Sequence, residues 1–358
     1  MQAFKDFIDF LSGPVIFFTG SIVLFVLGIR YRALLTRPRV GLGLLAAGVV
    51  FLIIGFTDAN FRAIGLKPDN VPILGMAFLV GFFTWFGLRQ AVENDRRIAA
   101  GGKPREAEGE EQIHTWPDLV YIELICLVGV TALLVVWSIL LKAPLEEPAD
   151  PTTSPNPAKA PWYFLGLQEM LVYFDPWLAG VVIPGLIITG LILIPYIDRS
   201  PRGSGFYSFK GREIGVTLYL FGFLVLWVLL IVVGTFLRGP NWNFFGPFDY
   251  WDVHKLPVLV NINLSEIIYI KMLGVRLPGH WFVREFWGIL LVAFYIFGLP
   301  PLLAKTWFKG MCERLGTPRY TLMVFHLLVM LGLPIKMYLR WAFNLKYVVA
   351  LPEFFFNI

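Results

Sequence analysis

Trp162, Leu165, Glu169 and Tyr173 recur at spacings of three and four within KAPWYFLGLQEM and the residues after it, so a helix places them near one face. A carboxyl set among such aromatic and aliphatic groups has a poorly solvated charged form, and burial of that kind raises proton affinity toward neutral pH. A group that accepts protons from a bound substrate needs that property. The same residues also fit an aromatic anchor at a membrane interface, with Glu169 turned to water.

Other chemistry is sparse. Cys126 and Cys312 fall in different segments and form no C-x-x-C pattern, which excludes thiolate cluster ligation and covalent haem attachment within this chain. His114, His254, His280 and His326 form no matched pair and no metal-like cluster. Only His326 falls inside an apolar stretch, where a structural hydrogen bond is favoured over a ligand role. At His114-Thr-Trp-Pro-Asp118 the aspartate reads first as a cap on the helix that begins after Pro117.

The elements that carry these residues belong to a membrane. The 358 residues are 57% hydrophobic and 15% charged, with a mean hydropathy of +0.69 that water-soluble domains do not reach. Eight stretches free of Asp, Glu, Lys and Arg approach the length of a spanning helix: 10–29, 40–57, 70–88, 124–141, 176–197, 214–237, 286–304 and 320–335, the last being the weakest. None shows the alternation of a barrel strand, so the expected fold is an all-α integral membrane protein of about eight transmembrane helices, with a short amphipathic helix on the outer surface. The first stretch has arginines after it and no small-residue cleavage site, and reads as a retained span.

Basic clusters follow the first, fifth and seventh stretches, whereas 58–69 balances its charges. The positive-inside rule therefore places both termini, the loop 143–177 and the loop 238–285 outside. The net charge of +5 follows from these loops and gives no reason to invoke nucleic acid. Residues 1–100 read as a three-span module. The mixed-charge stretch from Arg89 to Trp116 reads as a solvated connector on the inside, with 101–116 as the cytoplasmic linker between modules and a boundary near 112, 117–305 as a second membrane domain, and 306–358 as an extra span and tail. Prolines in 143–161 impose an extended path. Proline at 161 suits the first turn of a helix over Trp162–Phe174.

A proline-rich loop containing PLEEPADP, then Pro161-Trp-Tyr-Phe164, a short helix, Asp175-Pro-Trp177 and a long apolar span resembles the carboxy-terminal half of cytochrome b, called subunit four where that protein is split. The resemblance covers roughly Asp118 to Lys305. The family's motif here is Pro-Glu-Trp-Tyr, at the quinol-oxidation site. Aligning Trp162 and Tyr163 puts Pro161 where the motif has its glutamate and Ala160 where it has proline, so the usual proton acceptor is missing. Glu169 is the candidate substitute, with Asp175 or a partner's residue as the alternative.

The resemblance implies a membrane subunit of a bc-type quinol:cytochrome c oxidoreductase in a bacterial cytoplasmic membrane. It implies quinol binding by Pro161, Trp162, Tyr163, Phe164 and Glu169, with Tyr163 and Glu169 catalytic, and an inner quinone site near Asp118. Haem b and a Rieske iron-sulfur cluster belong on partner chains: a haem-bearing amino-terminal cytochrome b subunit, a Rieske-type protein and a c-type cytochrome, in a complex expected to be dimeric. A haem-free scaffold or transporter subunit is the competing expectation.

Overall fold

Long apolar runs without internal charge leave the backbone one way to satisfy its hydrogen bonds in a bilayer, and the chain takes it. A computed structural model describes residues 2–109, 113–141, 148–152, 154–199, 205–256 and 259–358. In chain order its main helices are α1 (Gln2–Leu11), α2 (Pro14–Arg30), α3 (Arg32–Leu35), α4 (Pro38–Gly55), α5 (Ala59–Gly65), α6 (Val71–Ala99) and α7 (Thr115–Leu140). They continue with α8 (Leu165–Met170), α9 (Leu178–Ile197), α10 (Glu213–Leu237), α11 (Trp281–Lys305), α12 (Lys309–Leu315) and α13 (Thr317–Phe343). Among the described residues seven helices are long and apolar enough to cross a membrane, and the pair α1 and α2, bent by 78°, has the composition of a broken span or a re-entrant loop. The chain is a multi-pass, all-α membrane protein. Its one named strand pair among the described residues joins Ala350–Leu351 to Phe356–Asn357.

The loops gather at two ends of the bundle. At the end assigned to the outside, Lys5 pairs with Asp58, Phe248 stacks on Phe61, Asn241 bonds Asn156, and Tyr347 donates to Asp175. At the other end Asn94 donates to the Tyr207 carbonyl, Asp95 accepts the Phe209 and Lys210 amides, and Arg319 reaches the Tyr196 carbonyl.

Two expectations need revision. Arg89 to Ala99 is not solvated linker: α6 continues through it, and Ala91, Val92, Asn94 and Asp95 are buried because the 207–210 backbone docks on Asn94 and Asp95. The weakest span, α13, is the most enclosed of the candidates, and its Leu333 and Met337 join Phe18, Tyr173, Ala179, Val225 and Leu230 in the main core. A helix wrapped by protein tolerates polar groups that a lipid-facing one does not. Lys336, 3% exposed and with no hydrogen-bond partner among the described residues, is one of them. In contrast, no part of the apolar window of α7 is buried. The proline-rich stretch lies partly outside the described residues, at 142–147 and 153. Where described it forms no helix.

Candidate functional site

Pro161 opens a tight turn over Trp162–Phe164, and α8 follows for six residues before turns carry the chain to Asp175. The helix is shorter than the sequence implies. Leu165, Glu169 and Tyr173 do share one buried face, at 3%, 0% and 2% exposure. Trp162 does not join them: the three-residue turn winds more tightly than an α-helix and rotates it out, leaving it 38% exposed. Trp162, Tyr163 and Phe164 form a row of half-exposed rings, with centroids 5.6 Å and then 4.7 Å apart. The water-facing alternative for Glu169 is excluded by its complete burial.

The carboxylate is not among apolar groups alone. Arg238, the first residue after α10, donates from Nε to Oε2 at 2.9 Å and from Nη2 to Oε1 at 2.6 Å. Trp242 Nε1 donates to Oε2 at 3.2 Å and the Tyr173 hydroxyl to Oε1 at 3.2 Å. Four donors thus meet the two oxygens, the arrangement that makes a buried charge tolerable. The adjacent Gln168 faces the other way: its Oε1 accepts the Ala160 amide and its Nε2 donates to the Ala158 carbonyl, both at 2.8 Å. The Gln-Glu pair is therefore a two-sided clasp. Gln168 holds the approach to Pro161, and Glu169 holds the 238–245 turn.

That turn is built to deliver Arg238. Phe245 N–H donates to the Leu237 carbonyl and Gly239 N–H to the Asn243 carbonyl. Asn241 and Trp242 take left-handed φ values of 56° and 57°, unfavourable for a tryptophan and held because its indole and carbonyl are both bonded, the carbonyl to Arg238 Nη1 at 2.6 Å. The Phe244 ring covers the guanidinium at 3.8 Å.

Charge sets the behaviour of the neighbours. Burial alone lowers the proton affinity of Arg238, but Glu169 outweighs it and holds the guanidinium above the ordinary arginine value. Burial and then the Glu169 charge push the Tyr173 phenol up, so it stays a donor. Lys159, whose Nζ donates to the Thr235 carbonyl at 2.8 Å, is pulled down to about 7 by burial and by the charges of Lys67 and Arg238.

Residues 148–247 match the family model of cytochrome b(C-terminal)/b6/petD. The matched region is cytochrome b C-terminal-like. It holds Pro161 to Phe164, Glu169, Tyr173, Arg238 and Trp242, hence the whole network. It is narrower than Asp118 to Lys305: α7, α11 and the amino-terminal module lie outside it. The match supports a membrane subunit of an oxidoreductase complex of the bc or b6f type. No solved structure matches the chain.

Other expected positions are dispersed. Asp118 is exposed, and neither it nor His114 makes a side-chain cap bond at the start of α7. Asp175 accepts from the Tyr347 hydroxyl at 2.8 Å and lies beside the carboxy-terminal strand. His280 caps α11 by accepting from the Phe282 amide. His326 Nδ1 bonds the Leu322 carbonyl at 2.7 Å, and a Cβ placed on Gly190 would come within 3.4 Å of its Nε2. Among the described residues no three His, Cys, Asp or Glu side chains form a metal-binding group.

The sequence reading missed Arg238, Trp242 and Gln168. A charged residue immediately after an apolar span ordinarily reads as a topological marker, and that is how Arg238 reads without its fold.

Proposed function

We propose that this chain is a membrane subunit of a quinol-oxidising complex of the bc or b6f type, and that its outer end walls the quinol-oxidation site. The observation that carries the reading is a row of half-exposed aromatic rings, Trp162 to Phe164, backed by a sealed ion-pair network inside the matched region. Flat rings on a rigid backing suit a flat apolar headgroup, and fixed geometry is what electron and proton transfer require.

Pro161, Trp162, Tyr163 and Phe164 line the quinol pocket. Tyr163 sits edge to face with Trp162 and offers its hydroxyl to the ring. Glu169 is the candidate proton acceptor of that wall, bonded by Tyr173 and Trp242 at 3.2 Å. Arg238 positions the carboxylate. Haem b and the iron-sulfur cluster, which supply the electron acceptors when bound, sit on partner chains: a haem-bearing cytochrome b subunit and a Rieske-type protein, with a c-type cytochrome beyond, in a dimeric complex. Asp118, at the opposite end, borders the inner quinone site.

The test is the purified assembly. It should show b-type haem absorbance and quinol-dependent reduction of its acceptor, with KM for quinol raised in Trp162→Ala and Tyr163→Ala while haem content stays constant. A haem-free assembly that does not oxidise quinol overturns the reading. Glu169→Gln separates the two roles of the carboxylate: a shifted pH profile of turnover marks proton transfer, whereas lost thermal stability with an unmoved profile marks an anchor alone.

A further inference from the structure

At the end opposite the aromatic row, Arg37, Arg89 and Arg96 converge on one recess of about 210 Å³, with Thr36 and Pro38 on the α3–α4 side and Glu93 on the α6 side. Arg37 and Pro38 also line a wider recess of about 510 Å³ that takes in Arg39. The charges are not balanced locally. Glu93 is drawn to Arg97, 3.5 Å away, and among the described residues no carboxylate pairs with Arg37, Arg39, Arg89 or Arg96. Arg89 rests over the Trp85 ring at 5.3 Å, and the Thr36 hydroxyl is spent on the Arg32 carbonyl.

Like charges gathered in a recess repel, and an anion seated among them relieves that repulsion. The depth says which anion the surroundings offer. The apolar run of α6 ends at Leu88 and that of α4 begins at Val40, so the recess lies where a bilayer passes from hydrocarbon to headgroups. Guanidinium forks match phosphate oxygens in pairs, and basic pockets between spanning helices at this level suit anionic headgroups. The recess is smaller than a drug-sized pocket, which fits a headgroup whose acyl chains remain outside.

The geometry points to a binding site for a phosphate ester between the α3–α4 junction and α6, filled by an anionic phospholipid of the surrounding leaflet. It lies in the amino-terminal module, outside the matched region, and does not depend on the reading of the quinol site.

The test uses the full chain in its purified, delipidated assembly, and reads lipid retention by native mass spectrometry. Phosphatidylglycerol should be retained over phosphatidylcholine. The triple variant R37Q/R89Q/R96Q should weaken that retention on the order of a hundredfold, from roughly equal contributions of three basic groups near an anionic headgroup. Arg30→Gln, an exposed arginine that does not line the recess, should leave it unchanged. Inorganic phosphate alone raising the melting temperature of the wild type but not of the triple variant, with no preference between lipids, keeps the phosphate site and moves its source to a soluble ester. Equal retention of both lipids with no phosphate effect, or wild-type retention in the triple variant, overturns the proposal. Should the triple variant not fold, Arg96→Gln at the exposed end of α6 carries the same comparison, with about a fivefold loss expected.

Discussion

Among the described residues Glu169 and Glu285 are the two fully buried glutamates, and they solve the same problem in opposite ways. Glu169 recruits a guanidinium 69 residues away, with an indole and a phenol completing the shell. Glu285 takes Nε of its own neighbour, Arg284, at 3.0 Å, and its second oxygen accepts the Ala350 amide at 3.0 Å. Arg284 then reaches on to the exposed Glu353. The first pair is closed, with Arg238 7% exposed; the second is open, with Arg284 19% exposed and a chain of contacts leading to water. A closed pair joins segments distant in sequence and shields a site. The open one fastens the tail, residues 344–358, across the ends of α9 and α11.

The difference is sharpest when a partner is removed. Arg238→Met strands a carboxylate with no route to solvent and should destabilise the protein by about 3–5 kcal/mol. The double variant Glu169→Gln with Arg238→Met should recover most of that loss, because no uncompensated charge remains. Thermal unfolding of the purified protein reads both, and a single variant no worse than the double would refute the closed-pair description. Glu285→Ala should cost less, about 1–3 kcal/mol, since Arg284 still pairs with Glu353. Its signature is local: hydrogen exchange at Ala350 and the strand beyond should quicken while 165–174 stays protected. Smaller again is Trp242→Phe, which keeps the ring and removes one donor from Glu169, for a loss of about 1 kcal/mol.

Much of this was legible in the sequence, unevenly. The spans follow from uninterrupted apolar runs, which a bilayer interprets in one way. That Leu165, Glu169 and Tyr173 share a face followed from their helical spacing, a local property; that the face is buried did not, because the same spacing also fits an anchor with Glu169 turned to water. The partner of Glu169 was not legible, because helix periodicity relates residues within a turn or two, whereas Arg238 arrives from beyond α9 and α10. Trp162 was placed on the wrong side for a related reason: a tight turn after proline has a different period from the helix it introduces. Gln168 and the tail contacts use backbone groups, which no residue pattern reveals. The enclosure of α13 appeared only as weak hydropathy, a signal that also fits a poor span.

Lys159 offers the finest test of how far the closed network extends. Its ammonium lies within the fields of Lys67, Arg238 and Glu169, and burial leads the causes that bring its titration down to about 7. In the unfolded chain it titrates at the ordinary lysine value. Between the two values the unfolded state binds the extra proton, so folding stability rises with pH from about 7 upward; below about 7 both states are protonated and this contribution is flat. Lys159→Met, which keeps an aliphatic side chain but removes the ammonium that lies 5.1 Å from the Trp251 ring centre, should therefore remove the rise above pH 7 and leave the acid limb unchanged. Replacing Arg238 should shift the same rise toward higher pH, because one repulsive charge is gone, whereas replacing Glu285 should not move it. Unfolding midpoints across pH 6 to 10 for the three variants measure whether Lys159 belongs to the Glu169 network or only lies beside it.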